Sequence, residues 1–134
     1  MIKFEDKYFA EFDFTKEQIR KNFENAQKDL GIAKKDQIPE VKFSYAYQAF
    51  IKAGIALLSF YKVKIKSVPG HHAKIIEKVA HILQDNSVDT IGNVMRSKRN
   101  FDIYSGGIET TEKECREYIE FAQNVLSKIG KIIA

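Results

Sequence analysis

The sequence predicts an all-α protein, an up-and-down bundle of about five helices preceded by a short aromatic-rich N-terminal segment. Two observations support this fold class: apolar residues recur at helical spacing along most of the 134 residues, and the chain contains only 7 Gly and 2 Pro. A sheet of many short strands needs more turn residues than this. Because compact domains most often hold about 100 to 150 residues, we expect one domain over residues 1–134.

The first helix is predicted over about residues 15–33. Thr15, followed three residues later by Gln18, forms a capping-box pattern. Apolar residues then recur at helical spacing: Ile19, Phe23, Ala26, Leu30 and Ala33. A second helix is predicted to begin at Pro39, a residue that suits a first helical turn, and to end near residue 62. Its apolar residues lie on every side, so we expect it at the centre of the bundle.

Residues 63–70 follow the second helix and alternate apolar side chains with lysines before Pro69 and Gly70. This pattern indicates an extended stretch that is too short and isolated to form a sheet. A third helix is predicted from about His71 to Leu83, where the apolar spacing again follows the helical period.

The last two helices have recognisable start signals. Ser87 is a suitable N-cap for a fourth helix, which is predicted to end near Tyr104. Thr110 or Thr111 caps a fifth helix, whose acidic first turns and basic end complement the helix dipole. Ahead of the first helix, five aromatic side chains fall within 14 residues: Phe4, Tyr8, Phe9, Phe12 and Phe14. This density predicts a segment that packs on the bundle or on a second subunit.

Composition narrows the compartment and the class of partner. A single cysteine, Cys115, cannot form an internal disulfide, which favours a cytoplasmic setting. The first residues lack the basic and apolar regions of a secretory signal, and the longest apolar run, from Ala53 to Tyr61, is well below the roughly 20 residues that span a bilayer. We therefore expect a soluble protein with no membrane contact. A net charge of +4 suits a polyanionic partner but does not by itself indicate one.

Several kinds of chemistry find no support in the sequence. No Gly-rich loop precedes a helix in the Walker or dinucleotide arrangement, so no nucleotide P-loop is predicted. His71, His72 and His81 lack the spacing of metal ligands, and we interpret the first two as a helix start with one histidine partly buried. Cys115 lies on the apolar stripe of the last helix and is interpreted as a core residue. We expect neither a metal nor a cofactor.

The end of the fourth helix carries the strongest candidate site. Three cations fall within residues 96–99. Because residues four apart stack on one helical face, Arg96, Asn100 and Tyr104 form one row, and Arg99 lies on the next. Guanidinium groups hold phosphate oxygens in a bidentate manner, and an amide and a phenol add neutral hydrogen bonds. This pattern indicates a phosphate-binding surface.

A structural interpretation of the same residues stays open. Arg99 then pairs with Asp102 one turn away, Arg96 and Lys98 are solvated, and Tyr104 closes the core. The residues alone do not decide between the two interpretations.

The stretch Arg-Ser-Lys-Arg-Asn-Phe-Asp-Ile-Tyr at 96–104, a Gly-containing turn, and the helix Thr-Glu-Lys-Glu-Cys-Arg-Glu-Tyr at 111–118 resemble the end of the HEPN-domain family. Residues 44–50 on a helix, and 70–73 after a loop, are similar to the second and third helices of small prokaryotic members. The resemblance extends from about Thr15 to the end. It implies an all-helical bundle, often a homodimer, of the kind found in toxin–antitoxin systems, RNA-cleaving enzymes and nucleotide-binding accessory proteins.

Ribonuclease members of this family carry an Arg, then a polar residue such as Asn, and a His four to six positions after the Arg. In this chain Arg99 matches the arginine and Asn100 the polar residue, whereas Tyr104 stands at the histidine position. A phenol titrates near 10 and an imidazole near 6.5, so the tyrosine exchanges a proton at neutral pH only after a large shift. The resemblance implies Arg99 and Tyr104 as catalytic candidates, with Asn100 as the polar residue beside them. The cationic row adds Arg96 as a binding candidate, and Asn100 and Asp102 of the same segment are the other binding candidates.

Three functions remain as hypotheses. The first is a HEPN-like homodimer that binds RNA, a nucleotide or a partner protein, such as a nucleotidyltransferase, in a toxin–antitoxin or accessory role. The second is a metal-independent endoribonuclease, in which Tyr104 or a histidine from elsewhere, such as His72, transfers the proton. The third is a structural dimerisation module built from the N-terminal segment and the fourth helix. We rank binding first because Tyr104 replaces the histidine.

Overall fold

A computed structural model of the protein describes residues 2–104 and 110–134, without the side chains of residues 102–104. Helices dominate this described part and follow one another in the order α1 (Lys16–Lys35), α2 (Pro39–Phe60), α3 (His71–Leu83), α4 (Asn86–Tyr104) and α5 (Glu112–Ile133). The predicted number of about five helices is confirmed, and a small two-stranded sheet accompanies them, so the described part is mostly helical and not purely all-α. Among the described residues, no helix is both long and apolar enough to cross a membrane.

Two helices begin at capping boxes. The Gln18 N–H donates to the Thr15 hydroxyl at 3.1 Å, and the Gln18 side chain accepts from the Thr15 N–H at 2.9 Å. Thr111 and Glu114 make the same pair of bonds at the start of α5, at 3.0 and 3.1 Å. Each box satisfies N–H groups that a helix start leaves without an internal partner. Thr111, of the two threonines considered, is therefore the cap of α5.

The predicted cap of α4 was wrong. Helix α4 begins at Asn86, and Asp85 receives hydrogen bonds from the Ser87 N–H at 3.0 Å and from the Ser87 hydroxyl at 2.6 Å. Lys128 of α5 binds the other Asp85 oxygen at 2.8 Å. A carboxylate at this position also favours the positive end of the helix dipole. Ser87 consequently lies in the first turn.

Two short strands join the N-terminal segment to the connection between α2 and α3. β1 (Phe9–Glu11) and β2 (Val63–Ile65) pair antiparallel, with Phe9 opposite Ile65. The expectation that residues 63–70 were too isolated for a sheet was wrong, because their partner strand lies far away in the sequence. Phe9 is only 3% exposed, so the aromatic segment packs on the bundle of its own chain.

Helix α2 lies at the centre of the bundle, as predicted. It contacts α1, α3 and α5, and its largest fully buried side chains are Tyr47, Phe50, Leu57 and Leu58. Gly54 lets α3 approach closely, since a Cβ at this position would lie 2.7 Å from Ile75. Helix α4 packs mainly on α3. The end of α4 and the start of α3 are thereby brought side by side.

Candidate functional site

A groove of about 520 Å³ lies where the start of α3 faces the end of α4. Residues 67–73 form one wall, and Arg96, Arg99 and Asn100 form the other. The sequence predicted that Arg96, Arg99 and Asn100 lie on one surface of a helix. The structure brings it together with the loop that follows β2 and with the first turn of α3.

The first turn of α3 presents free backbone donors to this groove. Gly70 caps the helix at φ +84°, a left-handed conformation that suits glycine, and it offers no side-chain hydrogen bond. The His71 N–H donates to the Val68 carbonyl at 3.1 Å. Within the described residues, the N–H groups of His72 and Ala73 make no cap hydrogen bond. Uncapped N–H groups and the helix dipole favour an anion at this position.

Two arginines face these donors. Arg96 and Arg99 are both half-buried, so their side chains are partly ordered by packing. The Arg96 Nε donates to Asn93 Oδ1 at 3.1 Å, and the Arg99 guanidinium lies 5.7 Å from the centre of the Tyr47 ring. Neither guanidinium pairs with any carboxylate whose side chain the structure describes. This arrangement suits the binding of an external oxyanion.

His72 is an uncharged member of the site. Its Nδ1 lies 3.0 Å from the Tyr47 hydroxyl. Burial, together with the nearby charges of His71, Arg99 and Arg96, lowers the pKa of His72 to about 4. Burial likewise raises the pKa of Tyr47 to about 12, although Arg99 and Arg96 oppose this effect. Both groups are therefore neutral at pH 7. The interpretation of His71 and His72 as a helix start is confirmed, but both histidines are half-buried, so the expectation of only one was wrong.

His71 has a defined tautomer. Its Nδ1 lies 2.8 Å from the Val68 carbonyl oxygen. Because a carbonyl oxygen only accepts hydrogen bonds, Nδ1 carries the hydrogen and donates. In the neutral ring Nε2 is then the acceptor. The two histidine rings meet edge to face, with centroids 4.5 Å apart.

Three charged or polar candidates remain: Lys98, Asp102 and Tyr104. Lys98 does not line the groove: its side chain is only 10% exposed, pairs with Glu114 at 3.0 Å and lies 5.6 Å from the Tyr118 ring centre. The interpretation of Lys98 as solvated was wrong, because this side chain joins α4 to α5. The side chains of Asp102 and Tyr104 lie outside the described residues.

Cys115 is a core residue, as predicted. It is 1% exposed, its thiol donates to the Pro39 carbonyl at 3.2 Å, and burial raises its pKa, which disfavours the reactive thiolate. Among the described side chains, no group of three or more His, Cys, Asp or Glu residues is arranged to hold a metal ion.

Sequence reasoning placed the arginines on one surface and named His72 as a possible partner from elsewhere, but it missed the rest of the opposite wall and the role of Tyr47. A signal for the wall was present, since Gly70 directly precedes a helix and leaves its first N–H groups without a side-chain cap. Tyr47 offered no such signal, because its partner His72 lies 25 positions away.

No family model matches the chain. No curated protein and no solved structure matches it either. The fold and the groove describe this protein as a helical bundle with an arginine-lined groove at the start of α3. The resemblance to the HEPN family depends on the motif residues of this chain alone.

Proposed function

We propose that this protein binds a phosphate-bearing ligand, RNA or a nucleotide, in the groove between α3 and α4. One observation carries the proposal: Arg96 and Arg99 share a groove with the uncapped start of α3. The guanidinium groups would grip phosphate oxygens, and the N–H groups of His72 and Ala73 would add neutral donors. Asn100, on the arginine wall, supplies a further amide.

The state of His72 supports binding in preference to turnover. Metal-independent RNA cleavage needs groups that take and give protons near neutral pH. A histidine with a pKa of about 4 is almost entirely unprotonated at pH 7 and cannot act as the acid, and its Nδ1 is occupied by Tyr47. A metal-independent endoribonuclease remains the second candidate, because His71 and His72 line the same groove as Arg99.

A homodimer is the assembly that we propose. Val94 and Phe101 are each 51% exposed, and Ser97 between them is also exposed. Residues seven apart lie two turns along one helical face, so these side chains form a continuous uncharged stripe on α4. Pairing of two copies through this stripe would give a homodimer of the kind that the HEPN resemblance implies, with Arg99 and its groove on the opposite side of α4 from the interface. The N-terminal segment packs on its own bundle, which favours α4 over it as a dimerisation surface.

The HEPN resemblance also guides the biological setting. We propose a toxin–antitoxin or accessory role in the cytoplasm, with a nucleotidyltransferase as the candidate partner protein. Neither a toxin–antitoxin role nor an accessory role requires a membrane, a metal or a cofactor.

The binding test uses a short fluorescently labelled single-stranded RNA and anisotropy across a salt series. Arg99→Ala and Arg96→Ala are expected to weaken binding about tenfold or more and to reduce the salt slope, by about 0.7 for each lost phosphate contact. Arg116→Ala, an exposed arginine on α5, is the matched control and should bind like the wild type. Competition by unlabelled ATP would identify a nucleotide ligand. An affinity that Arg99→Ala leaves unchanged at every salt concentration would refute the proposal.

Two further measurements address the assembly and the second candidate. Sedimentation of Phe101→Asp should show loss of the dimer, whereas Phe60→Asp, at an exposed aromatic residue on α2, should not. Incubation with RNA in chelator should leave the RNA intact. Cleavage that disappears in Arg99→Ala would instead favour the endoribonuclease.

A further inference from the structure

The buried Tyr47 contacts both walls of the groove between α3 and α4. This residue of α2 is 1% exposed and lies behind the groove. Its hydroxyl lies 3.0 Å from His72 Nδ1 on one wall, and its ring centre lies 5.7 Å from the Arg99 guanidinium on the other. Tyr47 therefore determines how a histidine and an arginine from two different helices meet.

The hydrogen between Tyr47 and His72 belongs to the phenol. In the part of the chain that the structure describes, the Tyr47 hydroxyl has His72 Nδ1 as its one hydrogen-bond partner. If this hydroxyl accepted from Nδ1, its own hydrogen would be buried without an acceptor, which is unfavourable. The hydroxyl therefore donates to Nδ1, and in the neutral imidazole Nε2 carries the ring hydrogen.

His72 consequently offers a donor to the groove. Its half-buried ring lines the groove, and the buried phenol holds Nδ1, so Nε2 on the other side of the ring is left for a ligand. His71 shows the reverse arrangement. Its Nδ1 donates to the Val68 carbonyl at 2.8 Å, so Nε2 of the neutral ring accepts. The two adjacent histidines thus present one donor and one acceptor.

Donors and positive charge dominate this groove. The guanidinium groups of Arg96 and Arg99, the His72 imidazole and the free N–H groups of α3 all donate, and no carboxylate lies among the lining residues that are described. A terminal phosphate has three free oxygens and a charge of about −1.5 to −2 at pH 7, whereas an internal phosphodiester has fewer free oxygens and a single charge. Two guanidinium groups and several donors match a terminal phosphate better than a diester.

We propose that the group bound in this groove is a terminal phosphate, at an end of an RNA chain or on a nucleotide, and that Tyr47 is a positioning residue for it. This inference rests on the proposed function, because it names the kind of phosphate that the same groove takes. Tyr47 acts through His72, whose Nε2–H donates to a phosphate oxygen, and through Arg99, whose guanidinium packs over the phenol ring.

The test compares short RNAs that carry an internal fluorophore. One has a 5′-phosphate and one a 3′-phosphate. The reference has hydroxyl groups at both ends and is two nucleotides longer, so its charge is roughly the same as theirs. We expect one phosphorylated RNA to bind about tenfold more tightly than the reference. Competition by AMP but not by adenosine would assign the phosphate to a nucleotide, and a lack of competition by AMP would assign it to an RNA end.

Tyr47→Phe removes the hydroxyl and keeps the ring. We expect it to reduce the preference for the phosphorylated RNA about threefold or more, because His72 is no longer held as a donor. This preference is a ratio of two affinities of one variant, and partial unfolding weakens both by the same factor. Tyr45→Phe, at a half-buried tyrosine of α2 away from the groove, is the matched control and should keep the wild-type preference.

The tautomers can be observed directly. Long-range proton–nitrogen NMR spectra of the wild type should show the ring hydrogen on Nε2 of His72 and on Nδ1 of His71. A hydrogen on Nδ1 of His72, or an unchanged preference in Tyr47→Phe, would overturn the role of Tyr47.

The RNA series separates this inference from the proposed function. Equal affinity for the phosphorylated and hydroxyl RNAs, with binding that still requires Arg99, would refute the terminal phosphate and leave phosphate binding in place. Absence of binding by every RNA and by AMP would refute both.

Discussion

Acidification from pH 7 to pH 5 is expected to destabilise the protein through His72. The pKa of this imidazole is about 4 in the folded chain, against 6.5 as its ordinary value. Between these values the unfolded chain binds more protons than the folded one, so acid favours unfolding. The contribution of His72 is therefore complete above pH 6.5 and is lost progressively as the pH falls towards 4.

The size of this effect follows from the same two values. For a fully buried group, linkage gives a loss of roughly 2 kcal/mol at pH 5. His72 is only half-buried, so solvent screening reduces the expected loss to about 1 kcal/mol. Glu5 and Asp85 have pKa values of about 2, so they lose most of their contribution at lower pH and add little in this window.

Urea unfolding at pH 7 and pH 5 measures the loss directly. His72→Gln removes the titrating group, so the difference in unfolding free energy between the two pH values should shrink by about 1 kcal/mol relative to the wild type. His81→Gln, at an exposed position of the same helix, is the matched control and should keep the wild-type difference. If His72→Gln and the wild type lose the same free energy on acidification, the assignment of a neutral, partly buried His72 is wrong.

Three further substitutions test the packing. Gly92→Ala should destabilise by about 1 kcal/mol in urea unfolding, because a Cβ there would lie 2.9 Å from the Phe50 ring, a strain that exceeds the gain in helix propensity. Gly31→Ala, with nothing within 4 Å of the added Cβ, should instead stabilise by about 0.5–1 kcal/mol. Glu5→Gln should cost about 1–2 kcal/mol at pH 7, because it removes a partner 2.7 Å from the buried Lys78. The same variant should lose less stability than the wild type from pH 4.5 to 2, since it lacks the carboxyl with the lowered pKa.

Features that depend on neighbouring residues could be predicted from the sequence. The capping boxes at Thr15 and Thr111 each involve residues within one helical turn, so local spacing identifies them. The cap of α4 could not be predicted from local spacing alone. Asp85 and Ser87 are both good capping residues, and Lys128, which binds Asp85, lies 43 positions away. Local sequence carries no information about that contact.

The same distinction applies to the site and the sheet. Arg96 and Asn100 were placed on one surface because they lie on one helix. Their opposite wall comes from another element, and only tertiary packing determines that the two walls meet. The strand pairing of Phe9 with Ile65 is equally non-local, and each strand is only three residues long, too short for a reliable periodic pattern.

The N-terminal segment supports the helix that forms one wall of the proposed binding groove. The Glu5 carboxylate bridges Lys74 and Lys78 at 2.6 and 2.7 Å, and the Tyr8 ring lies 5.2 Å from the Lys74 ammonium. These contacts tie the segment to α3, whose first turn forms a wall of the arginine groove.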